Sequence, residues 1–130
     1  MRTVLLVEDE FGIADVLASV LEDEGYRVVT AGNGRRGLEH LAEVKPDLVV
    51  LDFMMPVMDG AAMGRAIRGD PAHDGIPIIM MSALSETAVR AHFDGYTAFI
   101  RKPFRIPWLL DLVARTLDDG SGAAGAEQSG

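Results

Sequence analysis

Short runs of consecutive apolar residues recur along this chain, and they restrict its fold more than any other feature. Uninterrupted apolar residues, without polar ones in alternation, indicate strands that are buried on both faces of a sheet. A fifth run, Arg27 to Ala31, is β-branched but begins with a polar residue, so we predict a strand at one edge of the sheet. The four clear runs are Val4 to Val7, Leu48 to Leu51, Ile76 to Met81 and Ala98 to Ile100.

Segments with helical spacing separate these runs. In each segment, apolar residues recur three or four positions apart, which places them on one face of a helix. The regular alternation of strand and helix predicts an α/β fold, in which right-handed crossovers put helices on both faces of an open parallel sheet. The five predicted helices contain Ile13 to Leu21, Leu38 to Ala42, Met63 to Ile67, Ala88 to Phe93 and Leu109 to Leu117.

The length and the end of the chain predict one domain and a tail. A chain of 130 residues fits a single core. After Leu117 the helical spacing stops, and the remaining residues are mostly Gly, Ala, Ser and acidic residues with little apolar surface to bury. We therefore expect a folded domain over residues 1–118 and a flexible tail, or a truncated linker, over residues 119–130.

The composition argues against several classes of function. The formal net charge of -8 disfavours direct binding to nucleic acid, which needs clustered Lys and Arg. The absence of cysteine excludes disulfides, thiolate metal sites and cysteine nucleophiles. No segment has the pattern of a signal peptide or a membrane span. We expect a cytoplasmic protein that does not contact the membrane.

Polar residues follow the predicted strands at the points where those strands end. Glu8 and Asp9 follow the run that ends at Val7, Asp52 follows Leu51, and Ser82 follows Met81. Lys102 comes after Arg101, beyond the run that ends at Ile100. Ligands of open α/β sheets bind beyond the carboxyl ends of the strands. The sequence therefore predicts that three carboxylates, a hydroxyl and an ammonium group meet at one edge of the sheet.

Such a set of side chains suits phosphoryl transfer. Three neighbouring carboxylates repel one another unless a cation lies between them, and Mg²⁺ (or Mn²⁺) prefers oxygen ligands of this kind. The carboxylate of Asp52 can act as a nucleophile, while Lys102 and Ser82 interact with the oxygens of the transferring group. Each residue also has a purely structural interpretation, since Asp9 or Ser82 can cap a helix and Lys102 can be a solvated surface charge. The prediction depends on their conjunction.

The residues at these positions resemble the motifs of response-regulator receiver domains from bacterial two-component systems. The phosphoacceptor signature of that family is similar to Leu51 to Gly60, and Glu8-Asp9, Ser82-Ala83 and Lys102-Pro103-Phe104 match the other elements in order. The resemblance extends from about Arg2 to Leu117. It implies a flavodoxin-like, doubly wound sheet of five parallel strands in the order 2-1-3-4-5, with five helices.

The resemblance also implies roles for individual residues at the site. Asp52 would be the phosphoacceptor, and Lys102 would pair with the phosphoryl group. Glu8 and Asp9 correspond to the acid pair of the metal site, to which Asp52 and the backbone carbonyl of Met54 would also contribute. The phosphoryl donor would be a sensor histidine kinase or a histidine phosphotransfer protein.

A second set of residues would relay phosphorylation to a partner. Ser82 corresponds to the switch hydroxyl and Phe99 to the aromatic switch residue, although Phe99 lacks the hydroxyl of a tyrosine and can also be a plain core residue. The peptide between Lys102 and Pro103 is usually cis in this family. The output surface would comprise helix four, strand five and helix five, and it would bind a downstream protein or a second copy of the chain.

Two apolar residues beside the site bear on the lifetime of the phosphorylated state. Met54 and Leu84 stand where many relatives have amide or acidic side chains that orient the attacking water, so we expect a long-lived acyl phosphate. Met54 and Leu84 can equally serve only to pack against the tail or a partner. The three histidines are predicted to be surface residues away from the acidic cluster: His40, His73 and His92.

Three other functions remain open at this point. An aspartate-nucleophile phosphatase of the haloacid-dehalogenase class expects a second Asp two residues after the first, where this chain has Met54. A flavin- or nucleotide-binding module of the same fold expects a glycine-rich loop after the first strand, where this chain has Glu8-Asp9-Glu10. A receiver-like interaction module that is never phosphorylated is the third alternative.

Overall fold

The computed structural model describes residues 1–121 of the chain, with side chains described as far as residue 118. Within those residues, strands and helices alternate from the first strand to the last helix. The strands are β1 (Thr3–Val7), β2 (Arg27–Ala31), β3 (Leu48–Asp52), β4 (Ile78–Ser82) and β5 (Ala98–Arg101). The helices are α1 (Phe11–Asp23), α2 (Gly34–Val44), α3 (Gly60–Arg68), α4 (Glu86–Arg90) and α5 (Ile106–Ser121).

The five strands form one parallel sheet in the order β2-β1-β3-β4-β5. This flavodoxin-like topology confirms the fold class, the strand order and the edge position that the sequence predicts for Arg27–Ala31. The register places Asp52 beside Met81 of β4, and Ser82 beside Arg101 of β5. The ends of β3, β4 and β5 therefore lie side by side at the same edge of the sheet.

Two apolar layers cover the two faces of the sheet. Every residue of β1, β3 and β4 is buried, which explains why these strands are continuously apolar in the sequence. Alternate residues point to opposite faces, so that Leu5 packs with α2, α3 and α4, whereas Leu6 packs with α1 and α5. The helices are held mainly by this burial, which contributes about 25 cal/mol for each Å² of apolar surface removed from water.

The fourth helix is shorter than the sequence predicts. Helical spacing includes His92 and Phe93, but α4 ends at Arg90. Beyond α4, the chain runs along α3, where guanidinium groups of Arg65 and Arg68 donate hydrogen bonds to the carbonyls of His92 and Gly95. These carbonyls accept hydrogen bonds from side chains and not from the backbone N–H groups of a longer helix. The prediction that β4 begins at Ile76 is also wrong, since that strand begins at Ile78.

The last helix is longer than predicted. Its apolar spacing stops at Leu117, yet α5 continues to Ser121 and so includes residues 119–121 of the predicted tail. A formed helix extends readily, because each further residue gains a backbone hydrogen bond without a new nucleus. The rest of that predicted tail, residues 122–130, lies outside the described residues. None of the helices in the described part of the chain is long and apolar enough to cross a membrane.

Candidate functional site

The carboxyl ends of β1, β3 and β4 bring the predicted site residues together. Glu8 and Asp9 directly follow β1, Asp52 is the last residue of β3, and Ser82 is the last of β4. Carboxylate oxygens of Glu8, Asp9 and Asp52 all lie within 4.8 Å of one another. Glu8 and Asp52 are buried, and Asp9 is exposed at the mouth of the cluster.

Lys102 faces this acidic cluster from the end of β5. Its Nζ donates a hydrogen bond to Glu8 Oε1 at 2.8 Å and lies 3.4 Å from Asp52 Oδ1. The backbone fixes this position, since the N–H of Lys102 donates to the carbonyl of Ser82 at 2.8 Å. The peptide bond between Lys102 and Pro103 is cis, as the resemblance implies. One cation is thus shared between two buried carboxylates.

Burial and like charge perturb the phosphoacceptor candidate. Asp52 is only 5% exposed. Its burial raises the pKa to about 7, and the negative charge of Glu8 adds to this effect, while Lys102 acts in the opposite direction. In the absence of a further cation, Asp52 is therefore partly protonated near neutral pH. Strongly perturbed carboxyl groups of this kind are concentrated at functional sites.

The same contacts keep Lys102 charged. Burial disfavours its charge, but the hydrogen bond to Glu8 and the charge of Asp52 outweigh that effect and raise the pKa of the ammonium group. A raised lysine pKa means that this group remains a cation throughout the neutral pH range. It can therefore neutralise an anion that binds at the cluster.

The three carboxylates fit a divalent cation of the Mg²⁺ type. They provide only oxygen ligands, they lie close enough to share one ion, and a single lysine does not balance their combined charge. The exposed position of Asp9 leaves the cluster open on one side, as Mg²⁺ requires when it keeps some of its waters. The predicted contribution of the Met54 carbonyl stays a prediction.

The loop between β3 and α3 is packed against the backbone of Asp52. A Cβ atom at Gly60 would lie 2.5 Å from the Asp52 carbonyl oxygen, so only glycine allows α3 to begin this close to the site. Asp59 caps the helix by accepting a hydrogen bond from the N–H of Ala62 at 2.8 Å. In the same loop, Val57 is exposed and has a φ of 70°, an uncommon and strained value for a β-branched residue.

The predicted switch hydroxyl lies at the end of β4, and the two predicted lifetime residues lie in the segments that follow β3 and β4. Ser82 is buried, and its Oγ accepts a hydrogen bond from the N–H of Leu84 at 2.9 Å. Leu84 and Met54 are both exposed, with Met54 at 61%. Neither side chain has the polar group needed to orient a water by hydrogen bonding. Their apolar character at the site is thus a property of the structure, whereas their effect on lifetime stays a prediction.

Phe99 is half-buried on β5, three residues before Lys102. Its ring packs against the apolar layer that contains α4 and lies 5.9 Å from the ring of Tyr96. Phe99 and Trp108 also line one cavity of about 380 Å³ between β5 and α5. Tyr96 has no signal in the local sequence pattern, because nothing there shows that this residue reaches from the loop before β5 to α4.

The prediction that the histidines lie away from the acidic cluster needs correction at His92. His40 and His73 are only partly exposed, with side chains at 25% and 13%. His92 is exposed, but together with Asp9 it lines a cavity of about 490 Å³ next to the site, and its ring lies 5.9 Å from that of Phe53. The contact of Arg65 with the His92 carbonyl holds the end of α4 against α3, which a sequence pattern does not show.

An apolar groove adjoins Lys102 on the opposite side of the site. It has a volume of about 520 Å³, and α1 and the loop after β5 form its walls. Phe11, at the start of α1, is 80% exposed, and Val16 on the same helix is also exposed. Exposed apolar side chains thus stand next to the polar site on this side of the molecule. The lining residues are Gly12, Ile13, Val16, Leu17, Ala83, Lys102, Pro103, Phe104 and Ile106.

Comparisons with known proteins agree with this geometry. The response regulator receiver domain family matches residues 4–114. The DNA-binding response regulator MtrA of Mycolicibacterium paratuberculosis is 37% identical over 116 residues, which cover 88% of this chain and 49% of that protein. The DNA-binding dual master transcriptional regulator RpaA of Synechocystis is 30% identical over 119 residues, or 90% of this chain and 49% of that protein. The chain thus spans about half the length of these relatives.

Solved structures show the same likeness in three dimensions. The signal receiver domain of a signal transduction histidine kinase from Syntrophus aciditrophicus has a TM-score of 0.85 and 31% identity, with 100% of this chain and 96% of that one covered. A CheY-like receiver domain protein from Methanospirillum hungatei has a TM-score of 0.86 and 25% identity, with 93% and 97% covered. The chain belongs to the response regulator receiver domain family, a class of switches in two-component signalling.

Proposed function

We propose that this receiver domain accepts a phosphoryl group on Asp52 in the presence of Mg²⁺. The observation that carries the proposal is the convergence of three carboxylates within 4.8 Å, with the ammonium group of Lys102 shared between Glu8 and Asp52. A buried cluster of this charge is costly for a folded protein unless cations occupy it. A function that brings cations and a phosphoryl group to the cluster accounts for that cost.

Glu8, Asp9 and Asp52 would hold the ion, with the carbonyl of Met54 as a further ligand. When bound, Mg²⁺ supplies positive charge that favours ionised Asp52 and neutralises oxygens of the incoming phosphoryl group. The ionised carboxylate of Asp52 is the nucleophile, because the pKa of about 7 in the absence of metal falls when positive charge is nearby. Asp52 is held in place by the backbone of β3 and by the close approach of Gly60.

The transfer itself requires one bond to form and one to break. A carboxylate oxygen of Asp52 attacks phosphorus, and the bond between phosphorus and the histidine nitrogen of the donor breaks. The electron pair of that bond returns to the ring, which leaves as a neutral imidazole if its other nitrogen carries the proton. Lys102 stabilises the charge on the transferring oxygens from its position beside Asp52.

The donor would be a sensor histidine kinase or a histidine phosphotransfer protein. The apolar groove beside α1 supports this assignment, because Lys102 contributes to both the groove and the acidic cluster. A donor helix in the groove would therefore lie directly next to the phosphoacceptor. Its apolar contacts with Ile13 and Val16 would provide affinity, while the acidic cluster would receive the phosphoryl group.

Phosphorylation would be relayed through Ser82 and Phe99. The hydroxyl of Ser82 accepts a hydrogen bond from Leu84 and is free to donate its own hydrogen to a phosphoryl oxygen on Asp52. Movement of Ser82 toward Asp52 would pull the start of the loop that leads to α4. The surface formed by α4, β5 and α5 would then change, and it would bind a downstream protein or a second copy of the domain.

Labelled acetyl phosphate with Mg²⁺ tests the proposal. We expect covalent labelling of the wild-type chain and of Asp59→Asn, which removes a carboxylate from the same loop but retains a helix cap. Asp52→Asn should remain unlabelled, and a chelator should prevent labelling of the wild type. Absence of label in the wild type would favour an interaction module that is not phosphorylated. Multiple turnover of phosphate monoesters would favour an aspartate-nucleophile phosphatase.

A further inference from the structure

The hydroxyl of Tyr96 connects the loop before β5 to α4. It donates a hydrogen bond to Glu86 Oε2 at 2.6 Å and accepts one from Arg90 Nε at 3.1 Å. Glu86 and Arg90 form the first and last turns of α4, and their charged groups lie 3.8 Å apart. Burial and the bond to Glu86 raise the pKa of Tyr96, so its hydroxyl remains a donor at neutral pH. One side chain thus binds both ends of a helix.

The loop that carries Tyr96 is firmly attached to α3. The ring of Phe93 fills a slot where Cβ atoms at Gly64 or Gly95 would lie 2.6 Å and 2.8 Å from ring carbons. On either side of that ring, Arg65 donates to the carbonyl of His92, and Arg68 donates to the carbonyl of Gly95, each at 2.8 Å. The backbone next to Tyr96 therefore has a fixed position relative to the sheet.

In contrast, α4 has few contacts of its own. It consists of five residues, and Val89 is its only buried side chain. Isolated helices of this length are unstable, so its position depends on tertiary contacts. Besides the burial of Val89, the cap from Ser85 and the backbone bonds at its ends, the two hydrogen bonds of Tyr96 connect the side chains of α4 to the loop before β5. Loss of the Tyr96 hydroxyl should therefore have a measurable effect on α4.

The position of α4 is directly linked to the proposed switch. Glu86 lies four residues after Ser82, so a shift of Ser82 toward Asp52 would displace the start of α4. The ring of Tyr96 also lies 5.9 Å from Phe99 and 6.4 Å from Phe93. A displacement of α4 that moves the hydroxyl of Tyr96 would thus also change the packing of Phe99.

We propose that Tyr96 is a positioning residue whose hydroxyl holds α4 in its resting place and links α4 to Phe99. This inference rests on the proposed phosphoacceptor function. Phe99 has no hydroxyl of its own, and Tyr96 provides a phenolic group next to it that binds α4. The hydrogen bonds of the Tyr96 hydroxyl stabilise the resting conformation, so their removal makes the phosphorylated conformation easier to reach.

The experiment compares Tyr96→Phe with Tyr26→Phe, since these are the two tyrosines of the chain and both variants keep the ring. Tyr26 packs on the opposite apolar layer, against the side of the sheet that carries α1 and α5. Beryllium fluoride with Mg²⁺ serves as the phosphoryl mimic, and NMR amide shifts follow its binding. Tyr96→Phe removes both hydrogen bonds of the hydroxyl, and we expect it to lower the half-saturating concentration at least about five-fold, the effect of losing one ordinary hydrogen bond. Tyr26→Phe should leave it unchanged.

Hydrogen exchange of the α4 amides provides a second readout in the resting protein. Exchange at Val89 and Ala91 should accelerate in Tyr96→Phe and not in Tyr26→Phe. Glu86→Ala should have a similar effect, whereas Glu86→Gln keeps an acceptor and should stay closer to the wild type. The double variant Tyr96→Phe, Glu86→Ala should show less than the sum of the single effects, because the two changes remove one interaction.

Two results would overturn the inference. One is unchanged α4 exchange and unchanged mimic binding in Tyr96→Phe, and the other is weaker mimic binding, which would show that the hydroxyl favours the activated conformation. Failure of the wild type to bind the mimic at all would instead contradict the proposed phosphoacceptor function. In that case, the exchange data would still decide whether Tyr96 holds α4.

Discussion

The two ends of the parallel sheet use polar residues in opposite ways. At the amino end, Asp47 accepts a hydrogen bond from the N–H of Thr3 at 2.8 Å, and Arg68 donates to the carbonyls of Asp74, Ile76 and Gly95. Both charged side chains form hydrogen bonds with neutral backbone groups and so hold the adjoining loops in place. At the carboxyl end, Glu8 and Asp52 are buried beside each other, with Lys102 shared between them.

This difference separates the stabilising end of the molecule from the end that we propose to be reactive. Charged groups that bind backbone dipoles stabilise a fold, whereas buried like charges destabilise it until a ligand arrives. Substitutions at the amino end should therefore change the free energy of unfolding and spare phosphorylation. Those at the carboxyl end should change phosphorylation strongly.

The largest effect is expected for Lys102→Met. The substitution removes the cation beside Asp52 and should slow labelling by acetyl phosphate about 100-fold, since loss of one charge-stabilising donor typically has this effect. The initial rate of labelling at fixed Mg²⁺ measures it. The control is Arg101→Met, because the neighbouring Arg101 binds the carbonyl of Ala83 instead of the carboxylates. A loss of less than ten-fold in Lys102→Met would contradict the assigned role.

Arg68→Met should have the largest effect at the amino end. It removes three hydrogen bonds that a charged group donates to carbonyls, two of which lie in the loop before β4. We expect the free energy of unfolding in urea to fall by about 2–4 kcal/mol, with the labelling rate of the folded protein within three-fold of wild type. Arg115→Met, which removes an exposed pair with Asp111, should change stability by less than about 0.5 kcal/mol. Equal losses in the two variants would refute the comparison.

The pH dependence of stability should reveal the cost of burying the ionised carboxylate of Asp52. Its pKa is about 7 in the folded protein, compared with an ordinary value of 3.8. Between these two pH values, the folded state therefore binds more protons than the unfolded state. Stability of the metal-free protein should therefore fall as pH rises from about 5 to 8, by about 1–3 kcal/mol. Urea unfolding in the presence of a chelator measures this.

Asp52→Asn should remove that slope and be more stable than the wild type at pH 8. By contrast, Asp47→Ala should lose about 1 kcal/mol, because it leaves the N–H of Thr3 without its acceptor. Addition of Mg²⁺ should flatten the slope in the wild type only. A steeper loss of stability with rising pH in Asp52→Asn than in the wild type would be inconsistent with a raised pKa at Asp52.

The smallest effect concerns the lifetime of the acyl phosphate. Met54→Asn introduces an amide at an exposed position beside the site, where it can orient the attacking water. We expect the half-life of phosphorylated Asp52 to shorten by about three- to ten-fold in this variant, as followed on phosphate-affinity gels. Met55→Asn, one residue further along, is the control. Decay of the wild-type phosphoprotein within seconds would contradict the expected long lifetime.

The sequence predicts the fold and the carboxyl-end cluster for one physical reason. Parallel strands buried on both faces appear as continuous apolar runs, and the residue after each run is placed by the sheet itself. The positions of Glu8, Asp52 and Lys102 follow from this local rule. The short α4 does not, because the chain beyond it is held by long-range contacts with Arg65 and Arg68.

Tyr96 illustrates what the sequence does not reveal. Its role depends on the position of the loop before β5, which is fixed by the glycines that accommodate the ring of Phe93 and by two arginines of α3. Taken singly, none of these glycines, arginines or Phe93 stands out in the sequence. Only their packing shows that Tyr96 reaches Glu86 and Arg90 on α4.

The single tryptophan of the chain gives this molecule an intrinsic optical probe. Trp108 is 64% exposed and lines the same cavity as Phe99, on the surface that would change on phosphorylation. Indole emission depends on the polarity around the ring, so rotation of Phe99 would alter it without any attached dye. Stopped-flow records of native protein could therefore time the conformational change separately from the chemical step.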